Sequence, residues 1–132
     1  MASRGVVNSL GVITTDEYTT VAGSEFHNSV VLVGNKHLHG LPDYSHRKPS
    51  RIYIKMNQGV FREMRVYGSD GRAELEIGYH PEMKLTGNRH EKVLHFHSFG
   101  PNLEHFEAQK MTKEVYEKYK LYLNHWGINW YE

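Results

Sequence analysis

The sequence has no cysteine among its 132 residues, which excludes a disulfide scaffold and any metal site built from thiolates. A bound metal would therefore need histidine and carboxylate ligands. Absence of cysteine also suits a reducing compartment, and we expect a cytoplasmic location.

Long hydrophobic runs are absent too. No apolar segment approaches the roughly 18–20 residues that span a bilayer, and residues Met1 to Gly5 lack the layout of a signal peptide. We therefore expect no membrane partner. Positive and negative charges nearly balance, since the chain has 16 Lys and Arg and 15 Asp and Glu and a formal net charge of +1. Non-specific attraction to phosphate is therefore not the main source of affinity for a partner.

Histidine is the residue type that the chain has in excess, with ten copies. The length is that of one domain, and we expect a single domain over residues 1–132 because no repeat or linker divides it. Pro42 and Pro49 interrupt regular structure in residues 36–50, which predicts a long exposed loop. Loops of this length in small domains often carry function.

Strand signals fill the middle of the chain. The apolar run from Val30 to Val33 predicts a buried strand. Residues 51–80 then alternate between apolar and polar side chains, with turn signals at residues 57–59 and at Asp70-Gly71, which predicts a three-stranded antiparallel meander. A fourth strand is predicted over residues 93–99.

A helix is predicted at the C-terminus, over residues 112–126. Thr112 is a candidate N-cap, apolar residues recur at the helical period after it, and Gly127 ends the pattern. The predicted fold class is α+β, with an antiparallel β-sheet of four to five strands packed on this helix.

One face of the predicted sheet is polar. Side chains alternate between faces along a strand, so placing the apolar positions beneath the helix fixes the opposite face. We call this the polar face, and it is predicted to carry Tyr53, Lys55, Glu63, Arg65, Tyr67, Glu74, Glu76, His80, His95 and His97.

His95 and His97 are the strongest local signal on the polar face. Two histidines separated by one strand residue point the same way, about 6.5–7 Å apart along the strand. They could hold one Zn or Mn ion, with His80 or Glu76 as third ligand and a position left for water. The pattern leaves two alternatives open, which are metal-free acid–base catalysis and a solvated face without chemistry.

The polar face also has the residue types that metal-free RNA cleavage requires. Glu76 would take the proton of the 2′-hydroxyl, His95 or His97 would protonate the leaving 5′-oxygen, and Arg65 or Lys55 would hold the phosphate charge. The alternative is that cross-strand Glu–Arg pairs only keep the sheet soluble.

Two further groups are candidate binding residues. Tyr53 and Tyr67 could stack on unpaired bases. His37 and His39 form a second His-x-His pattern in the predicted loop, where plain loop polarity is the alternative interpretation.

A short pattern resembles a known group of domains. Residues Tyr67-Gly68-Ser69-Asp70-Gly71, Glu76-Ile77-Gly78-Tyr79-His80 and His95-Phe96-His97 resemble small C-terminal domains of bacterial polymorphic toxins and domains found among phage structural genes. The resemblance covers about residues 51–99. It implies a phage or mobile-element origin, action inside the host cell, and a ribonuclease-like activity in which Glu76, His80, His95 and His97 are the characteristic residues. Many of the domains in question have Asp at the position of Glu76.

The sequence leaves three functions open. The first is a nucleic-acid phosphodiesterase that acts on RNA. The second is a non-enzymatic inhibitor that binds a host defence complex, in the manner of anti-CRISPR proteins, through the loop and the aromatic C-terminus. The third is an accessory virion protein that assembles as a homo-oligomer.

Overall fold

The computed structural model describes residues 18–34, 40–45 and 52–130. Two helices and seven strands lie in these ranges, and the seven strands form one sheet in which spatial order follows chain order. The strands are β1 Tyr18–Thr20, β2 Ser29–Gly34, β3 Ile52–Asn57, β4 Val60–Tyr67, β5 Ala73–Pro81, β6 Lys92–Ser98 and β7 Gln109–Lys110, and the helices are α1 Met83–Thr86 and α2 Lys113–His125.

The α+β class and the C-terminal helix are confirmed, but the sheet is larger than predicted and not wholly antiparallel. Strands β1 and β7 have three and two residues, too few to show an alternating pattern in the sequence. Strands β2 and β3 pair in parallel, whereas the other neighbours are antiparallel. Parallel pairing depends on a contact between segments distant in the chain, which local periodicity does not report.

Turn and cap residues lie where the sequence signals placed them. Gln58 and Gly59 both adopt positive φ, 53° and 79°, as a two-residue hairpin of type I′ requires. Gly71 has φ of 84° in the next turn. The Thr112 hydroxyl accepts a hydrogen bond from the Val115 backbone N–H and so caps the start of α2.

The main hydrophobic core lies between one face of the sheet and α2. Its fully buried members include Ile54, Met64, Ile77 and Leu123. Leu123 is the helix residue buried deepest, and Ile128 follows the helix back onto the sheet. Apolar residues of β3, β4, β5 and β6 therefore face α2, as the alternation predicted.

A second, smaller core lies on the opposite face of the sheet, which the sequence had suggested was polar throughout. It contains Tyr18, Val30, Leu32, Leu41, Tyr53, Tyr67 and Ala73, and we call it the tyrosine core. Leu41 is only 1% exposed, so part of the segment predicted as an exposed loop over residues 36–50 covers the sheet. A single leucine next to Pro42 gave no periodic signal of burial.

No helix in the described part of the chain is long and apolar enough to cross a membrane.

Candidate functional site

Strand register arranges the polar face in two rows across four strands. In the first row Tyr53, Arg65, Glu76 and His97 are successive cross-strand partners. In the second row the partners are Lys55, Glu63, Gly78 and His95. Directly opposed side chains on neighbouring strands have Cβ atoms about 4.5–5.5 Å apart. Register alone therefore places carboxyl, imidazole and cationic groups side by side.

A cleft of about 770 Å³ opens over part of these rows. Its lining includes the basic residues Lys55, Arg62 and Arg65. The lining also includes acidic residues and three imidazoles, which are Glu63, Glu76, Glu82, His80, His97 and His105. Acid, base and cation groups thus share a single concave surface.

Glu63 and Glu76 form a buried carboxyl pair at the base of the cleft, 7% and 6% exposed. Arg65 donates from Nη2 to Glu76 Oε2 at 3.1 Å, and His105 Nε2 lies 3.2 Å from the same oxygen. The two carboxyl groups also lie close enough to interact, and a hydrogen bond between them requires a proton on one of them.

The environment decides which carboxyl carries that proton. Burial, reinforced by the neighbouring Glu76 carboxylate, raises the pKa of Glu63 to about 8. Burial would also raise the pKa of Glu76, but hydrogen bonds from His105 and Glu63 and the charge of Arg65 outweigh it and hold this pKa well below its usual range. At neutral pH Glu63 is therefore the acid of the pair and Glu76 the anion.

Arg65 is committed to structure rather than to a ligand. Its Nη1 donates to the Leu41 carbonyl at 2.8 Å, and Asp43 Oδ1 lies 3.5 Å away. The side chain is 10% exposed. Arg65 therefore joins the segment over the tyrosine core to the carboxyl pair, and the predicted role on a substrate phosphate does not fit this placement.

Three histidines converge beside the carboxyl pair. The ring centroids of His80 and His95 are 4.6 Å apart, and those of His95 and His97 are 5.4 Å apart. One potential ligand atom from each of His95, His97 and Glu82 lies within 4.8 Å of the other two. The sequence predicted the three histidines together, but gave His80 or Glu76 as the third ligand rather than Glu82.

Backbone carbonyl groups orient all three rings. Nδ1 lies 3.0 Å from the Pro81 oxygen in His80, 2.8 Å from the Val93 oxygen in His95, and 2.8 Å from the Phe106 oxygen in His97. A carbonyl can only accept, so Nδ1 carries the hydrogen in each ring and Nε2 presents a lone pair when the imidazole is neutral.

Burial favours the neutral imidazole in two of the rings. Desolvation lowers the pKa of His80 and of His95, against the opposing effect of their backbone hydrogen bonds. His95 is fully buried, and its Nε2 has no hydrogen-bond partner. A buried polar atom without a partner costs roughly 1–3 kcal/mol.

Gly78 makes room for this arrangement. A Cβ at this position would lie 2.7 Å from His80 Nε2 and 3.0 Å from His95 Cε1. The His80 ring therefore occupies the space that a side chain at position 78 would fill. Gly78 is also the register partner of Glu63, and His80 and Glu63 both line the cleft.

Other predicted binding residues are placed differently. Tyr53 and Tyr67 are 0% and 3% exposed in the tyrosine core, and the Tyr67 hydroxyl donates to the Pro42 carbonyl. Neither ring offers a face to a base, so the predicted stacking role does not fit. Alternation gave the correct face of the sheet but could not show that another segment covers it. His37 and His39 lie outside the described residues.

Four residues of the site carried no sequence prediction of a role, which are Arg62, Glu63, Glu82 and His105. Glu63 was placed on the polar face, but nothing in the sequence marked it as the protonated member of a pair. Glu82 follows β5 and precedes α1, and His105 reaches Glu76 through an isolated bridge between Phe99 and His105. Both are loop positions, whose side-chain directions periodicity does not fix.

No protein-family model, curated protein or solved structure matches this chain. The resemblance to polymorphic-toxin domains therefore stays a prediction.

Proposed function

We propose that the protein is a phosphodiesterase that cleaves RNA by attack of the 2′-hydroxyl on the adjacent phosphate. The observation that carries the proposal is a cleft of about 770 Å³ whose lining includes Glu63, His80, Lys55 and Arg62. An acid, a base and cations are the groups that this reaction needs.

The roles follow from protonation at neutral pH. His80 Nε2 accepts the proton of the 2′-hydroxyl as the 2′-oxygen bonds to phosphorus. Glu63, whose pKa burial raises to about 8, gives its proton to the 5′-oxygen as the bond from phosphorus to that oxygen breaks. The products are a 2′,3′-cyclic phosphate and a free 5′-hydroxyl, so no water is consumed.

Phosphate charge would be met by the basic residues of the cleft lining. Lys55 is partly buried, and desolvation lowers its pKa while nearby Glu63 opposes that effect. The guanidinium group of Arg62 has the planar shape that pairs with two phosphate oxygens. Lys55 is one of the two cations that the sequence suggested for this role, and Arg62 takes the place of the other, Arg65.

Cleavage of labelled single-stranded RNA by tag-free protein tests the proposal, with 2′-deoxy oligonucleotides of the same sequence alongside. We expect RNA to be cleaved to cyclic phosphate ends and DNA to stay intact. Glu63→Gln and His80→Gln should each lower kcat/KM by about 100-fold or more, since acid–base groups contribute about 10²–10⁴-fold. Exposed residues of the same types give matched controls, Glu91→Gln and His90→Gln.

Two results would overturn the proposal. One is wild-type protein that leaves varied RNA intact both with and without added Zn²⁺ or Mn²⁺, which would favour a binding protein. The other is cleavage that survives Glu63→Gln and His80→Gln at the level of the controls.

A further inference from the structure

We infer that Glu82, His95 and His97 form a binding site for one divalent transition-metal ion of the zinc class, with an open coordination position toward the cleft. The site goes beyond the proposed cleavage reaction, which uses neither these residues nor a metal. It can therefore stand or fall separately.

Candidate ligand atoms of Glu82, His95 and His97 converge on one point. One candidate ligand atom from each residue lies within 4.8 Å of the other two. Ligands at about 2.0–2.1 Å from a tetrahedral zinc ion are about 3.3 Å from each other. The three atoms would therefore draw together by at most about 1.5 Å on binding. Glu82 lies between the end of β5 and the four-residue α1, so it can make most of that movement.

Backbone hydrogen bonds orient the imidazoles of His95 and His97 for coordination. His95 and His97 both donate from Nδ1 to backbone carbonyl groups, those of Val93 and Phe106, at 2.8 Å. Metal-ligating histidines almost always make such a bond with the nitrogen that does not bind the metal, since it fixes the tautomer and the ring direction. Both rings are thus held with Nε2 free to coordinate.

The Nε2 atom of His95 is buried and has no partner. Its side chain is 0% exposed, and Nε2 has no hydrogen-bond partner in the protein. The ring sits over Gly78, where any side chain would displace it. A metal ion supplies the partner that this buried lone pair lacks, whereas a solvated histidine face would leave no such atom.

Donor chemistry selects the class of metal. Two imidazole nitrogens and one carboxylate suit Zn²⁺ and its borderline neighbours, whereas Mg²⁺ and Ca²⁺ favour sites built from oxygen. Three protein ligands leave a fourth position, as in catalytic zinc sites. Glu82 and His97 line the cleft, so that position faces the space proposed for substrate.

Titration of tag-free, metal-stripped protein with Zn²⁺ in competition with a chromophoric chelator tests the inference. We expect each chain to bind one Zn²⁺ ion tightly, and we expect that Mg²⁺ and Ca²⁺ do not displace it. Glu82→Gln and His97→Gln should each weaken that site by at least about 10–100-fold, the loss seen when even an outer-shell partner is removed. Glu91→Gln and His90→Gln, at exposed positions, should bind zinc as the wild type does.

A second readout does not depend on how well a variant folds. Long-range proton–nitrogen correlation NMR of the wild-type chain should show the Nδ1–H tautomer for His95 and His97, with Nε2 signals that shift when one equivalent of zinc is added. The inference is overturned if zinc does not bind in a 1:1 ratio, or if Glu82→Gln and His97→Gln bind it as tightly as the controls. It is also overturned if the His95 and His97 signals do not move.

Discussion

The two ends of the polar face share one sequence pattern but differ in what lies over them. At one end Tyr53 and Tyr67 are sealed in the tyrosine core beneath Leu41. At the other end Glu63 and His80 line an open cleft. The comparison teaches that alternation assigns a residue to a face, while exposure depends on whether another segment of the chain covers that face.

Arg65 lies at the boundary between the sealed end and the open end. One nitrogen of its guanidinium holds the Leu41 carbonyl and another holds Glu76. The same side chain therefore anchors the covering segment and, after the hydrogen bonds from His105 and Glu63, adds to the lowering of the pKa of Glu76.

The largest effect on the free energy of unfolding is expected when Arg65 is replaced. Arg65→Met leaves the Glu76 carboxylate buried without its cation and releases the segment at Leu41, so the free energy of unfolding should fall by about 3–5 kcal/mol. Denaturant titration measures it, with Arg89→Met as the exposed control. Adding Glu76→Leu to Arg65→Met should recover part of the loss, because the unpaired charge is then gone. A loss no larger than that of Arg89→Met would contradict this account.

A smaller effect is expected from opening the sealed end alone. Leu41 is 1% exposed, so Leu41→Ala should lower the free energy of unfolding by about 2–4 kcal/mol through lost burial and the cavity left behind. Val33→Ala is the matched control, since Val33 is 50% exposed on a strand of the same sheet. Equal effects of the two substitutions, measured by denaturant titration, would mean that Leu41 does not seal the tyrosine core.

The last effect concerns the proton on Glu63 and the way it makes stability depend on pH. Burial raises the pKa of Glu63 to about 8 from 4.5, so between these values the folded chain keeps a proton that the unfolded chain releases. The resulting stability is fully present below about pH 4.5 and is lost as pH rises through about 8. Relative to Glu63→Gln, which cannot ionise, the wild type should therefore lose stability progressively between pH 5 and pH 8.

Denaturant titrations of both proteins across that pH range measure the difference, with Glu91→Gln as the exposed control. The comparison with Glu63→Gln matters because burial lowers the pKa of His80 and His95, which makes stability rise with pH over part of the same range. Both proteins carry that contribution, so it alters their difference only through the interaction between Glu63 and the histidines. Parallel pH profiles for the wild type and Glu63→Gln would show that Glu63 is ionised in the folded chain.

Much of the fold could be predicted because it is local. The alternation in β3 to β6, the positive-φ turn at Gln58-Gly59 and the Thr112 cap all depend on residues close together in the chain. Strands β1 and β7 were missed because they are short, and the parallel pairing of β2 with β3 joins distant segments.

The candidate site was predicted in part for the same reason. His95 and His97 share a face because they are two residues apart on one strand, and His80 joins them through the register of β5 with β6. Glu82 and His105 were missed because loops have no period. The roles expected of Arg65, Tyr53 and Tyr67 do not fit their positions, since each is buried by a segment that periodicity does not place.

By itself the sequence determined which side chains share the polar face, because the two-residue period of a strand is a property of the backbone. Only the tertiary structure decided which of them are sealed, which line a cleft, which carboxyl keeps its proton and which nitrogen lacks a partner. Those outcomes depend on burial and on charges brought from distant parts of the chain, and neither is encoded in the spacing of neighbouring residues.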